Sequence, residues 1–273
     1  MAKRPFDLPG FLLSGFGVGA VIFGLDSFAR ENSVGMVAPA LAGIISLWLY
    51  VHHARRRPDA ILDIRLFRHP AFRASMFGGT LFRVGFGAMP FMLPLLMQVI
   101  FGYTALQSGA ITFVAAIGAF GMRTLTRYIL NRFGFRSVLS WNALISSLFM
   151  GLCAAFNEQT AVHLMMAVIF LGGVFRALQF TSLNALSFAE VTDAEMSHAT
   201  TLSQMALRIS QGVGVALAAI LLHFYSGNAG NLTSSAFSAS FVVIALISAF
   251  SSLSFFALSR TAGDALIGRS KLH

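Results

Sequence analysis

The chain has 273 residues, of which 56% are hydrophobic and 11% are charged, and its mean hydropathy is +0.76. A soluble domain carries roughly 25% charged residues, so this composition excludes a typical water-soluble fold. The net charge of +9 does not indicate nucleic-acid binding, because most arginines lie in short segments between long apolar runs. The lone Cys153 excludes a disulfide framework. Composition therefore predicts an all-α membrane protein.

Apolar runs of about 20 residues recur along the chain and predict eight transmembrane helices. In chain order the predicted spans are approximately 8–27, 34–50, 74–100, 105–122, 138–156, 162–189, 199–224 and a last one that ends near residue 258. Pro90 and Pro94 predict a kink in the third span. The arginine-rich segments 55–73 and 123–136 fall on the same side by parity, so the charge bias predicts cytoplasmic termini.

Polar side chains interrupt three of these spans near their midpoints. Arg83 lies in the third span, Arg176 in the sixth and Arg208 in the seventh. An arginine there stays ionised, and inserting it costs ~2.5–3.5 kcal/mol unless it faces protein or a wet cavity. Further polar residues share these helix faces at 100° per residue. The candidates for a polar pathway are Arg83, Arg176, Gln179, Asn184, Gln204, Arg208 and Gln211.

The sequence leaves two interpretations of the three arginines open. Spans three to eight contain no Asp or Glu that could pair with them. In the structural interpretation, the guanidinium groups bond to helix carbonyls and hold the bundle together. In the functional interpretation, Arg83 and Arg176 meet an anionic group from outside the chain, and Arg208 supports them from a neighbouring helix. A third interpretation, in which one arginine faces lipid and snorkels, is disfavoured at that depth. No His-Glu-x-x-His motif and no paired aspartates occur in the spans, so we expect no enzyme activity, no metal site and no cofactor.

Spans three and six share a short pattern that indicates an internal repeat. Residues 78–83 read GGTLFR and residues 172–176 read GGVFR. Each span is followed by two further spans, as a three-plus-three inverted duplication would leave. The repeat would make Arg83 and Arg176 symmetry mates that face a common axis.

Several segments carry a family resemblance. They are 63–72 (DIRLFRHPAF), 83–98 (RVGFGAMPFMLPLLMQ), 101–109 (FGYTALQSG), 131–136 (NRFGFR) and 179–184 (QFTSLN). Together they resemble the fourteen-helix drug:proton antiporters of the major facilitator superfamily, most closely the MdtD-like branch. The resemblance covers nearly the whole chain, but only the second half of such a transporter.

The resemblance implies a division of the chain into four parts. Residues 1–58 would form two extra central transmembrane helices, 59–73 a cytoplasmic amphipathic linker, 74–259 the six-helix C-terminal bundle and 260–273 a cytoplasmic tail. It also implies a basic cytoplasmic loop motif, which here comprises Asn131, Arg132, Gly134 and Arg136. Asn131 stands where the family has an aspartate, which puts a charge-relay role of this loop in doubt.

The leading hypothesis is the C-terminal half of a secondary transporter for multidrug or small-molecule efflux by proton antiport, working by alternating access. Its partners would be the lipid bilayer, a small-molecule substrate and an N-terminal half, either on a separate chain or lost by truncation. The alternative is a non-transporting membrane subunit or regulator that retains the bundle fold. We expect a multi-pass protein of the bacterial inner membrane.

Overall fold

The computed structural model describes residues 7–31, 37–56, 64–193, 195–226, 232–259, 262–263 and 266. The α-helices in these residues are α1 (Leu8–Glu31), α2 (Val37–Arg56), α3 (Pro70–Leu95), α4 (Ala105–Phe133), α5 (Phe135–Leu152), α6 (Val162–Ser187), α7 (Met196–Ser226) and α8 (Ser234–Phe256). No strand occurs in the described part of the chain. The protein is an all-α membrane protein, as its composition predicts.

Six of these helical segments are long and apolar enough to cross a bilayer. They are Pro70–Ile100, Ala105–Met122, Phe135–Ala155, Val162–Ser187, Met196–Ser226 and Ser234–Phe256. The apolar parts of α1 and α2, Leu8–Gly24 and Ala38–Ala54, are shorter. They stand at the lower limit of about 17 residues for a spanning helix. The crossing of the membrane by α1 and α2 therefore stays a prediction.

The basic segment 123–136 is helical rather than a loop. α4 continues to Phe133, so Asn131 and Arg132 lie in its last turn. The connection to α5 is the single residue Gly134, whose φ of 77° and ψ of 159° favour glycine. Arg136 already belongs to the first turn of α5. The predicted span, 105–122, agrees with the part of α4 that is apolar enough to cross a bilayer, and the helix continues beyond it because arginine is itself a good helix former.

α3 contains both predicted kink residues and remains helical through them. Pro90 and Pro94 lie inside α3, and a π-helical turn, Leu96–Ile100, follows directly. The amide of Phe101 donates to the carbonyl of Leu96 over 3.3 Å, which is the i→i−5 bond of a π-turn. The departure from α-geometry at the end of this span is therefore a wider turn.

The packing of α3–α8 has the symmetry of two three-helix units. α4 packs against α6, and its counterpart α7 packs against α3. α5 packs against α6 and, in the corresponding way, α8 packs against α3. Exchanging α3, α4 and α5 for α6, α7 and α8 thus preserves these contacts. This arrangement agrees with the three-plus-three repeat predicted from the two Gly-Gly…Phe-Arg segments.

Glycines allow close approach at both equivalent helix pairs. At the α4–α6 contact, a Cβ on Gly173 would clash with the backbone of α4, and a Cβ on Gly118 would lie 2.6 Å from a carbonyl of α6. At the α3–α7 contact, a Cβ on Gly87 would lie 2.8 Å from Cα of Gln211. Small residues let helices approach closely where no hydrophobic driving force exists between them.

α1 and α2 form a hairpin that packs on α7 through α1. At one end of the hairpin, Nε2 of His53 lies 2.9 Å from Oδ1 of Asp7, and the same oxygen accepts from the amide of Gly10. Tyr50 is buried against neighbours that include Leu202 of α7. The hairpin is therefore attached to the bundle through side-chain packing on α7.

The predicted amphipathic linker, 59–73, packs on the bundle where it is described. Residues 59–63 lie outside the described residues, and Ile64–Arg68 form a 3₁₀ turn. Leu66 in this turn is fully buried in a cluster with Phe72 and Ala199. An amphipathic segment of this kind can rest its apolar side on the lipid leaflet. Leu66 instead faces protein, because Phe72 and Ala199 offer a closer apolar surface.

An acidic segment between α6 and α7 binds this linker. Oε1 of Glu195 accepts from Nη2 of Arg68 over 2.7 Å, and Oε2 of Glu195 lies 3.6 Å from Nε2 of His69. Oε2 of Glu190 accepts from the backbone amide of Ala71 in the first turn of α3, over 3.1 Å. The acidic residues thus hold the start of α3 and the end of the linker together.

Candidate functional site

A cavity of about 620 Å³ lies among α3, α6 and α7, with one residue contributed by α4. Four of the predicted pathway residues line it. They are Arg83, Arg176, Asn184 and Gln211. The two arginines of the predicted repeat therefore face one common space, as their symmetry requires. A cavity of this size is in the range of about 300–1,000 Å³ that holds small molecules.

Arg83 is the most deeply buried charged group of the cavity. Its exposed fraction is 2%, and its Nε and Nη1 atoms have no hydrogen-bond partner among the described residues. The guanidinium of Arg83 folds back along α3 towards Gly79, one turn earlier in the helix. A Cβ added to Gly79 would lie 3.4 Å from Nη1. The same Cβ would lie 3.6 Å from Leu183 on α6. Gly79 thus leaves the space that Arg83 occupies between α3 and α6.

Arg176 is half-buried and touches two spaces. It lines the large cavity and also a neighbouring apolar void of about 40 Å³, beside Phe149 and Cys153. Phe149 stacks on Phe175 with ring centroids 5.4 Å apart, which packs the helix face next to Arg176. Arg176 therefore stands at the boundary between the polar cavity and the apolar interior of the bundle.

Gln179 lies away from the cavity, between α6 and α5. Its side chain is fully buried, and its Oε1 accepts from Nδ2 of Asn142 over 2.8 Å. Its Nε2 donates to the carbonyl of Leu139 over 3.1 Å. Gln179 stands three residues after Arg176, about 60° away around the helix, and at that angle it meets α5 instead of the cavity. The prediction that Gln179 lines the same space as Arg176 was therefore wrong in its geometry.

On α7 the predicted polar face is exposed rather than buried. Gln211 lines the cavity, whereas Arg208 and Gln204 are exposed outside it, one and two turns towards the start of the helix. We expected Arg208 to be a third buried arginine. It lies on the open side of α7 because α3 packs against the face that carries Gly214.

The structure adds cavity residues that the polar pattern missed. Gly87 and Phe180 line the cavity four residues after Arg83 and Arg176, and Val215 does so four residues after Gln211. Residues four apart share a helix face, so this spacing is a signal in the sequence that could have found them. The wall is therefore partly apolar and aromatic, and Phe180 also contacts the ring of Phe82 on α3.

The predicted loop motif lies apart from the cavity. Asn131 and Arg132 are exposed at the end of α4, Gly134 is the turn and Arg136 is half-buried on α5. None of these four residues lines the cavity. Among the described residues, no three His, Cys, Asp or Glu side chains come together in a way that could hold a metal ion.

Comparison with known proteins agrees with this architecture. Residues 75–271 match the family model described as Major Facilitator Superfamily. Relatives from Salmonella newport (strain SL254), Salmonella agona (strain SL483) and Salmonella typhi are each 32% identical over 242 residues; all are named MdtD, and their name refers to multidrug resistance. These alignments cover 85% of this chain and 50% of each relative, so the chain spans about half the length of the curated relatives it matches. The chain therefore belongs to the major facilitator superfamily of membrane transporters.

Proposed function

We propose that this chain is the C-terminal half of a secondary transporter that exports small molecules, including drugs, when it is paired with an N-terminal bundle. The observation that carries the proposal is the cavity among α3, α6 and α7, which holds the two guanidinium groups of Arg83 and Arg176. Its supports are the family, the multidrug-resistance name of the relatives and the share of those relatives that the chain spans. A transporter, and not an enzyme, is the class that these features favour.

The charge of the cavity needs an anionic partner from outside the bundle. α3–α8 contain no Asp or Glu, and Nε and Nη1 of Arg83 have no partner among the described residues. An unpaired buried charge is strongly unfavourable, and arginine cannot lose its proton at neutral pH. The missing partner is a carboxylate of the N-terminal half or an anionic group of the substrate, which Arg83 and Arg176 would meet from α3 and α6.

The second bundle would also cover the polar face of α7. Gln204 and Arg208 are exposed on this spanning helix, and a charged side chain towards the bilayer centre is costly. A facing bundle removes that cost, and the cavity then lies at the interface of the two halves. Alternating access in such a fold rocks one half against the other around a midplane site.

In proton antiport, the proton-carrying group would come from the N-terminal half. No acidic residue lies in α3–α8, and the cavity wall contains no histidine. α1 and α2 would be the two extra central helices that connect the halves. The basic residues at the α4–α5 turn and after α2 would face the cytoplasm of a bacterial inner membrane, together with both termini.

The test pairs the full chain with a separately expressed N-terminal bundle from one of the MdtD relatives and measures drug efflux driven by a pH gradient in proteoliposomes. Arg176→Gln should leave folded protein and abolish transport, and Arg176→Lys should keep part of it, because lysine retains the charge and loses the bidentate fork. Arg127→Gln, an exposed arginine of α4 outside the cavity, is the matched control and should transport normally.

Two outcomes would contradict the proposal. Equal loss of folded protein in Arg176→Gln and Arg176→Lys, with normal transport per folded molecule, would give Arg176 a purely structural role. A pair of halves that assembles and yet moves no substrate under any gradient would favour the alternative, a non-transporting subunit that retains the bundle fold.

A further inference from the structure

A second polar space lies between the start of α5 and the end of α8. It is a groove of about 450 Å³. Its lining includes Gly134, Arg136, Ser137, Ser140, Trp141 and Phe256, and we refer to it as the α5 groove. None of its lining residues is acidic or lines the cavity described above.

The start of α5 presents free hydrogen-bond donors to this groove. The residue before the helix is Gly134, and no side chain caps the first turn. The first backbone amide of α5 that donates a helical hydrogen bond is that of Val138, which donates to the carbonyl of Gly134 over 3.1 Å. The preceding amides therefore point out of the helix end, where the helix dipole and exposed N–H groups attract anions.

A buried hydroxyl provides the second, independent indication of a ligand. Ser140 is fully buried and lines the groove, and its Oγ has no hydrogen-bond partner among the described residues. A serine inside a helix ordinarily donates to the carbonyl four residues earlier, as Ser147 does to Ala143 over 2.7 Å. Because the Oγ of Ser140 is also closed to solvent, it reaches an acceptor in the groove after a small rotation of the side chain, and that hydrogen bond would satisfy it.

The charge and the apolar rim of the groove define what fits it. Arg136 and Ser140 are four residues apart, so they lie on one face of α5 together with the amide end of the helix. Trp141 is 60% exposed and contacts Phe256 edge-to-face, with centroids 5.9 Å apart. Aromatic rings of this kind mark the boundary between lipid tails and headgroups. The α5 span starts at Phe135, so the groove lies at that boundary.

We infer that the α5 groove binds the phosphate of an anionic phospholipid. The phosphate oxygens accept from the guanidinium of Arg136, the hydroxyl of Ser140 and the first amides of α5, and an acyl chain lies along Trp141 and Phe256. Arginine suits this task, since its planar fork matches a phosphate and remains charged. The chemistry required is a phosphodiester monoanion in a headgroup without a cation, because Arg136 repels the quaternary ammonium of a zwitterionic lipid such as phosphatidylcholine. The apolar rim favours a lipid over free phosphate as the source of this anion.

The experiment measures lipid binding to the full chain in detergent by native mass spectrometry, so it does not depend on transport. Phosphatidylglycerol and phosphatidylcholine are titrated separately, and inorganic phosphate is used as a competitor. The chain should retain phosphatidylglycerol in preference. Arg136→Gln should weaken its binding ~tenfold and Ser140→Ala ~fivefold, the usual effects of losing a charged and a neutral hydrogen bond. Arg127→Gln, an exposed arginine outside the groove, should bind normally.

Each contrary result overturns the inference. Equal binding of the two lipids, or unchanged binding in both Arg136→Gln and Ser140→Ala, would remove the site. Displacement of phosphatidylglycerol by millimolar inorganic phosphate would assign the groove to a soluble anion instead of a lipid. Ser140→Ala deletes only one oxygen atom, so it keeps the test decisive if Arg136→Gln fails to fold.

Discussion

Replacing Arg83 with methionine should stabilise the isolated chain and abolish transport by the paired protein. Arg83 is 2% exposed, and two of its nitrogen atoms have no partner among the described residues. Inserting an arginine at such a depth costs ~2.5–3.5 kcal/mol, and replacing buried ionic groups by apolar ones is often neutral or stabilising by ~1–4 kcal/mol. Methionine has a similar length and adapts to the space beside Gly79. We therefore expect a gain of ~1–3 kcal/mol in the free energy of unfolding.

The assay is denaturant unfolding of the purified chain in a single detergent, followed by tryptophan fluorescence. Arg127→Met on the exposed surface of α4 is the control, and a substitution of that kind should stay within about 0.5 kcal/mol of the parent chain. A loss of stability in Arg83→Met well beyond the control would refute the reasoning. It would mean that the guanidinium of Arg83 holds the bundle together through helix carbonyls.

Three further predictions concern the frame around the cavity. Gln179→Leu should destabilise the chain by ~1–3 kcal/mol in the same unfolding assay, because it leaves buried polar groups of α5 without partners; an unchanged stability would contradict the bonding seen between α5 and α6. Gly173→Ala should destabilise the chain because the added Cβ would clash with α4. Gly121→Ala should instead raise the free energy of unfolding by up to ~1 kcal/mol through helix propensity, since a Cβ at that position meets nothing within 4 Å. Equal effects of the two substitutions would argue against close packing of Gly173 on α4. Hydrogen bonds from the hydroxyl and the amide of Thr192 lower the pKa of Glu195 below its ordinary value of 4.5. The ionised carboxylate of Glu195 therefore stabilises the fold at neutral pH, and this contribution is lost as the pH falls through the lowered pKa. The thermal midpoint of the parent chain should therefore fall more on acidification than that of Glu195→Gln, and parallel curves would exclude this role.

The α-helices of the described residues and the placement of two arginines followed from local pattern. Long apolar runs predict helices because backbone groups in lipid must bond within their own segment. The short Gly-Gly…Phe-Arg repeat predicted that Arg83 and Arg176 occupy equivalent positions and face a common space, and both line one cavity. The predicted end of the fourth span is confirmed, but the basic segment that follows it is helical and not a loop, since charge marks the membrane boundary and not the end of a helix. Only Gly134, with its positive φ, ends that helix.

The sequence by itself determined the class of the protein, its family and the residues that are too polar for lipid. The class and the polar residues depend on composition and on periodicity along single helices, and the family is indicated by the segments that carry the resemblance, such as 83–98 and 131–136. A sequence contains all of this information. The tertiary structure decided where each polar side chain goes: Gln179 between α5 and α6, Arg208 on the open face of α7, and Ser140 towards the α5 groove. The rotation of each helix about its axis is set by close contacts between helices, such as Gly173 against α4, and these contacts join residues far apart in the chain.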